Sequence, residues 1–198
     1  MNKLYNLFLK RWMDIVLAVI AIFLLAPVFV LVAISIKLDS KGPVLFKQQR
    51  VGAENTFFTI FKFRTMYVET PKDMPTHLLD SPDAYITKVG QFLRKTSLDE
   101  LPQLFNILAG SMSVIGPRPA LHNQTDLIER RNEVGASVLK PGLSGLAQVM
   151  GRDTLSIEEK AKLDGLYSRK LSFRTDMRLI FSTIRRVIQR DGVQEGAN

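Results

Sequence analysis

The string RKTSLDELPQLFN sets two acids side by side, Asp99 and Glu100, with Arg94 five residues ahead of the first. Adjacent carboxylates among cations suit phosphoryl transfer. One oxygen can attack phosphorus as a covalent nucleophile while the neighbouring carboxylate binds a magnesium ion that shields the phosphate charge. Arg94 can clamp an anionic oxygen. The same residues also read as a helix start, in which Ser97 caps, Glu100 completes a capping box and Asp99 favours the positive helix end. Pro102 fits that reading poorly, because it would stand at the fifth helical position, whereas proline prefers the first.

Two further strings carry cations with restricted backbones. In SVIGPRPAL, Arg118 stands between Pro117 and Pro119, which aim its guanidinium; that suits a phosphate or a planar heterocycle, although proline-bounded turns are also common as plain surface turns. KPGLSGLAQVMGR carries Gly142, Gly145 and Gly151 before Arg152, at spacings that match neither a P-loop nor a dinucleotide fingerprint. These glycines read as permitting tight turns. In FFTIFKFR, residues alternate with the period of a strand, so Lys62 and Arg64 are expected on one face.

The elements that must position these groups begin with an apolar run. No charged side chain occurs from Ile15 to Ile36, a stretch that as one helix is about 33 Å long, near the thickness of a bilayer's hydrocarbon core. Lys3, Lys10 and Arg11 precede it and Lys37, Lys41, Lys47 and Arg50 follow it, so both flanks favour the same, cytoplasmic face. Pro27 offers the means to turn back: it has no N–H for the Phe23 carbonyl, and it pushes Ala26 away from helical geometry. The expectation is a re-entrant membrane anchor over residues 1–38, broken at Ala26–Pro27, with arms of about 18 Å.

Residues 39–198 then read as one membrane-associated catalytic-sized domain of α+β class, mainly α. PVLFKQQRVGAENTFFTIFKF predicts a β-hairpin around GAEN, and prolines and polar residues over 68–85 predict an extended loop. Val89, Phe92 and Leu93 mark a helix ending near Thr96; Leu101, Leu104, Phe105 and Leu108 mark another, closed by Gly110. SIEE predicts a capping box at Ser156 and Glu159. From Phe173 to Ile188, apolar residues at helical spacing alternate with arginines, a pattern suited equally to anionic lipid and to a core-packed helix with a basic outer face.

Composition narrows the chemistry. The 198 residues include no cysteine, which excludes disulfides and thiolate metal sites, and His77 and His122 stand at no zinc-ligand spacing. A net charge of +8 favours an anionic partner.

Taken in order, KR before a proline-broken apolar segment, then FKFRTM, SLDELPQLFN, IGPRP, PGLSGLAQVMGR and a terminal D-x-x-Y-x(4)-S-x(3)-D pattern, the chain resembles the small monotopic phosphoglycosyl transferases of bacteria over nearly its whole length. The resemblance implies a sugar 1-phosphate transferase that works with Mg2+ from a UDP-sugar onto polyprenol phosphate, usually undecaprenyl phosphate, on the cytoplasmic face of the bacterial inner membrane. It implies Asp99 as the nucleophile that expels UMP and Glu100 as its partner in metal binding. It implies phosphate or nucleotide contacts from Lys62, Arg64, Arg94, Arg118 with Pro117 and Pro119, and Arg152, with Asp164 as a polar candidate. Membrane lipids are expected partners, nucleic acid is not, and a homo-oligomer is compatible with the family.

This sequence departs from the family at a few places. Ala26 stands where serine often precedes the breaking proline, Met150 where asparagine is common, and Lys170 near the end where asparagine is often seen. The last two bear on sugar or nucleotide contacts and leave the acid pair untouched. Two rivals differ in products: a non-catalytic membrane-tethered module binding anionic lipid or nucleic acid through Lys62 and Arg64 among phenylalanines releases nothing, and a conventional glycosyl transferase releases UDP.

Overall fold

A computed structural model of the chain describes residues 5–70, 82–151 and 154–189; residues 71–81, most of the stretch expected as an extended loop, and Arg152 lie outside them. After a helical turn at Tyr5–Leu9, helix α1 runs over Lys10–Asp39, 30 residues and about 45 Å of helical path. The interruption expected at Ala26–Pro27 is not found. Helical structure continues through Pro27, where the missing N–H affects one carbonyl, that of Phe23. Packing on both sides outweighs that defect of about 3 kcal/mol. Ala18 is buried among Leu104, Ile107 and Met112, whereas Val32 and Ile36 are buried against Phe63 and Leu93, each large apolar side chain contributing about 1.5–3 kcal/mol.

Both ends of α1 are fastened to the same body. Arg11 donates to the carbonyls of Ile107 and Leu108 at 2.5 and 2.8 Å, and Asp39 accepts from the Val89 N–H at 3.1 Å. Phe23, Leu24, Val30, Leu31, Ile34 and Leu38 remain exposed along the outer face.

The predicted hairpin is present as antiparallel strands β1 (Leu45–Val51) and β2 (Phe57–Phe63), joined through a tight turn at Ala53–Asn55. Past the short helix α2 (Pro82–Tyr85), helices α3 (Lys88–Thr96) and α4 (Gln103–Ala109) also form where the periodicity places them, α4 ending at Gly110 with φ 88°. Asn106 of α4 fixes the hairpin: its side chain accepts from the Phe61 N–H at 2.9 Å and donates to the Thr59 carbonyl at 2.7 Å. Gly90 allows α3 to rest on the chain leaving β2, since a Cβ there would collide with the Thr65 backbone carbonyl.

The remaining elements are β3 (Ser113–Ile115), α5 (Thr125–Glu133), β4 (Gly142–Ser144), α6 (Leu146–Met150), α7 (Ile157–Arg169) and α8 (Phe173–Gln189). Strands β3 and β4 pair in parallel. A Cβ on Gly142 would strike the Gly116 backbone, so this glycine serves close approach of two chains rather than only a turn. The capping box expected for α7 forms between Ser156 and Glu159.

A buried polar cluster joins the first helix to the last. The Asp176 carboxylate accepts from Lys10 Nζ at 2.6 Å, from the Tyr5 hydroxyl at 2.8 Å and from the Tyr167 hydroxyl at 2.6 Å. Asp14 accepts from the Ser113 hydroxyl and the Val114 N–H. The terminal sequence pattern thereby acquires a structural meaning: Tyr167 and Asp176 belong to this cluster, Ser172 accepts from the Thr175 N–H at the start of α8, and Asp164 binds Arg131.

Candidate active site

Asp99 and Glu100 lie in a single turn of 3-10 helix, Leu98–Glu100, wedged between α3 and α4. The capping box considered at Ser97 does not form. Ser97 instead ends α3 in the left-handed region, φ 56°, and its side chain makes no cap hydrogen bond. Pro102 takes the position before Gln103, where its missing N–H disturbs no helical hydrogen bond. A non-glycine residue at positive φ costs on the order of 1–3 kcal/mol and persists only where its surroundings impose it. Here it reverses the chain abruptly enough to present two acids in succession, each only 9% exposed.

Cations surround the pair. Lys62 Nζ lies 2.8 Å from Glu100 Oε1 and 3.6 Å from Asp99 Oδ2, and Arg118 Nη2 lies 3.1 Å from the same Glu100 oxygen. Pro117 and Pro119 are buried while Arg118 between them is half-buried, so the loop is held and the guanidinium faces outward to the site. Arg94, on α3, is oriented by a hydrogen bond from Nε to the Thr65 hydroxyl at 3.0 Å and adds its positive field at Asp99.

Burial dominates the electrostatics of Asp99 and pushes its carboxyl above the ordinary value, with the neighbouring Glu100 charge acting in the same direction; Lys62, Arg94 and Arg118 pull it back down. A buried carboxylate countered by nearby cations is poorly hydrated, which leaves it more reactive towards phosphorus once a phosphate has engaged those cations.

Arg50 belongs to this site, although its sequence position only marks it as a membrane flank. Its guanidinium donates to the Pro119 carbonyl at 3.3 Å and to Gln48 at 2.7 Å, and its Nε is buried without a partner. Burial, then the like charge of Arg118, draw it down to about 10, while Glu100 acts oppositely; it stays cationic at neutral pH. Its alternation along β1, opposite Phe58 of β2, is the signal that could have placed it here.

Beside Arg118 a small cavity of about 20 Å³ lies between the hairpin turn, the Pro117–Pro119 loop and α5, with Val51, Ala120 and Ile128 as apolar floor and Asn55, Arg118 and Arg131 as polar lining. On α6, both polar atoms of the Gln148 amide are buried with no partner. Among the described residues no group of three or more His, Cys, Asp or Glu is placed to hold a metal. A cation here would draw on Asp99 and Glu100 together with oxygens of a bound phosphate, a hard, all-oxygen set of the kind magnesium accepts.

The structure thus brings Lys62, Arg94, Asp99, Glu100 and Arg118 together. Arg64 is placed elsewhere. Strand β2 ends at Phe63, so Arg64 does not share the Lys62 face; its guanidinium binds the carbonyls of Ser40 and Lys41 and the Ser40 hydroxyl where α1 ends. Asp164 is committed to Arg131, 2.7 Å away, and both are buried. Met150 is exposed and Lys170 ends α7. Arg152 lies outside the described residues.

Comparison with known proteins places the chain in a family. The model of the bacterial sugar transferase family matches residues 5–190. The chain is 41% identical over 191 residues to a UDP-glucose:undecaprenyl-phosphate glucose-1-phosphate transferase of Escherichia coli, covering 90% of this chain and 40% of that protein. It is 40% identical over 186 residues to a UDP-N-acetylgalactosamine-undecaprenyl-phosphate N-acetylgalactosaminephosphotransferase of Aeromonas hydrophila, covering 91% of this chain and 44% of that protein. An uncharacterized sugar transferase of Bacillus subtilis, EpsL, is 38% identical over 191 residues and is matched over 91% of its own length. The chain spans about two fifths of the E. coli and A. hydrophila proteins and nearly all of the B. subtilis one. It belongs to the bacterial sugar transferase family.

Proposed function

We propose that the protein transfers a sugar 1-phosphate from a UDP-sugar to a polyprenol phosphate, undecaprenyl phosphate in the first instance, releasing UMP. The observation that carries this reading is the pair Asp99–Glu100, buried yet ringed by Lys62, Arg94 and Arg118 at a body whose first helix is apolar enough to enter a membrane. In the first step an Asp99 oxygen attacks the phosphorus that bears the sugar. The bond from that phosphorus to the oxygen of UMP breaks, UMP leaves with the electron pair, and a phosphosugar remains on Asp99. In the second step a phosphate oxygen of the polyprenol phosphate attacks the same phosphorus, forming polyprenol-diphosphate-sugar and freeing the carboxylate. Lys62 and Arg118 hold Glu100 and would meet the diphosphate. Magnesium held by Asp99 and Glu100 would offset phosphate charge when bound.

The membrane arrangement follows from the same features. Residues 1–38 anchor the chain in the membrane with both ends on one face, so that residues 39–198 lie against the cytoplasmic face of the inner membrane. Both ends of α1 are tied to that body, which supports a shared face without requiring a break at Pro27. Helix α8 buries Leu179 in the core and leaves Phe173, Phe181, Ile184 and Val187 exposed, as befits a helix that rests its outer apolar side on lipid.

The test is product release. Purified protein with a panel of UDP-sugars, Mg2+ and undecaprenyl phosphate should yield UMP, and a phosphosugar should be trapped on the chain when acceptor is withheld. Asp99→Asn should abolish both. UDP as the nucleotide product, or full turnover by that variant, overturns the reading.

A further inference from the structure

A second cavity, about 460 Å³, lies on another side of the acid pair, between α1 and α3. Val28, Leu31 and Val32 form one wall; Val89, Phe92 and Leu98 form the other. Its walls are apolar, and the charged residue lining it, Lys88, is exposed. Leu31 and Phe92 are themselves largely exposed, so the groove is continuous with the apolar outer face of α1, and at its other end Leu98 directly precedes Asp99.

A groove of this kind offers nothing to a UDP-sugar, whose diphosphate would lose hydration without gaining partners. It suits a hydrocarbon chain with an anionic head. We propose, resting on the transferase reading above, that this groove takes the first isoprenoid units of the polyprenol phosphate acceptor, so that its phosphate emerges at Leu98–Asp99. Burial of the chain between α1 and α3 stabilises the complex in proportion to the apolar area covered. Arg94, near the end of α3 that leads to Leu98, supplies positive charge for the phosphate. The acceptor then reaches Asp99 along an apolar wall, apart from the cations Lys62 and Arg118 that face Glu100. The membrane helix becomes part of the acceptor site rather than a tether alone.

Filling the groove tests this. Val28→Phe and Val89→Phe, assayed in nanodiscs with the full chain, should each raise the KM for undecaprenyl phosphate about tenfold or more, equivalent to about 1.4 kcal/mol. UMP released in the first half-reaction, with no acceptor present, reports whether each variant is folded and competent. A diazirine-bearing polyprenyl phosphate should label residues of α1 and α3 lining the groove, and the two variants should reduce that labelling. An unchanged acceptor KM in variants that still release UMP overturns the proposal. So does labelling of the groove by a diazirine phosphatidylglycerol with none by the polyprenyl phosphate, which would assign it to ordinary lipid. Should native protein release no UMP from any UDP-sugar, the transferase reading fails instead, and labelling, which needs no turnover, still decides the groove.

Discussion

Two buried carboxylate centres stand in this molecule, and they are built differently. At Asp176 the side chain is fully enclosed, and Lys10, Tyr5 and Tyr167 all donate to it at 2.6–2.8 Å. At Asp99 the lysine stands off at 3.6 Å, a second acid is adjacent, the preceding turn contains a residue at positive φ, and both acids keep some solvent access. One centre is closed by donors at hydrogen-bond distance, whereas at the other the lysine stands 3.6 Å from Asp99 and is shared with Glu100. A carboxylate closed in this way joins helices; an acid pair that shares its lysine leaves that cation able to meet a phosphate as well.

The sharpest way to break the comparison is to neutralise each acid. Asp99→Asn should reduce UMP release by at least about a thousandfold while leaving the melting temperature unchanged or higher. The sign follows from its raised carboxyl: a group titrating higher folded than unfolded contributes stability at low pH that is lost as pH rises through the folded value, so at neutral pH the charged form is a cost that Asn removes. Asp176→Asn should do the reverse, costing about 3–5 kcal/mol because Lys10 loses its counter-charge inside the fold. Thermal melts together with a UMP assay separate the two outcomes; a catalytic loss without a stability loss at Asp176 would erase the distinction.

A smaller effect should appear in the pH profile. UMP release should fall with acidity along a limb whose midpoint lies above that of an ordinary aspartate, because burial favours the protonated, non-nucleophilic form. Initial rates across pH, with the stability profile measured in parallel, check this. Gly90→Ala should then cost about 1–3 kcal/mol by pressing a methyl into the Thr65 carbonyl, and should lower activity through displacement of Arg94. Urea unfolding and the same assay measure both. Smallest of all, Ser97→Gly should stabilise the protein by about 0.5–1 kcal/mol by relieving the left-handed backbone, an effect with no counterpart at the Asp176 centre.

Much of the framework is legible in the sequence because it depends on local chemistry. The hairpin, α3, α4 and the capped start of α7 arise from periodicity, a terminal glycine and a capping box, all short-range signals. The acid pair and Arg118 are legible as well, because proline and adjacent charges mark them. Long-range partners escape. Arg50 reads as a flanking charge and Arg64 as a neighbour of Lys62, since nothing nearby in sequence reveals the Pro119 carbonyl or the Ser40 and Lys41 carbonyls that claim them. Pro27 misleads for the same reason: its local penalty is visible, while the contacts of Ala18, Phe29 and Val32 that hold the helix together across it come from distant residues. Asp164 carries a family pattern whose role here is to hold Arg131.

The two hydrogen bonds of Asn106 have a further consequence. Side chains along a strand alternate in direction, so a single step of β2 along α4 would swing Lys62 to the opposite side and turn Phe61 or Phe63 towards the acids. By gripping both the Thr59 carbonyl and the Phe61 N–H, Asn106 indexes the ribbon to one setting and keeps a cation, rather than a benzene ring, facing Glu100.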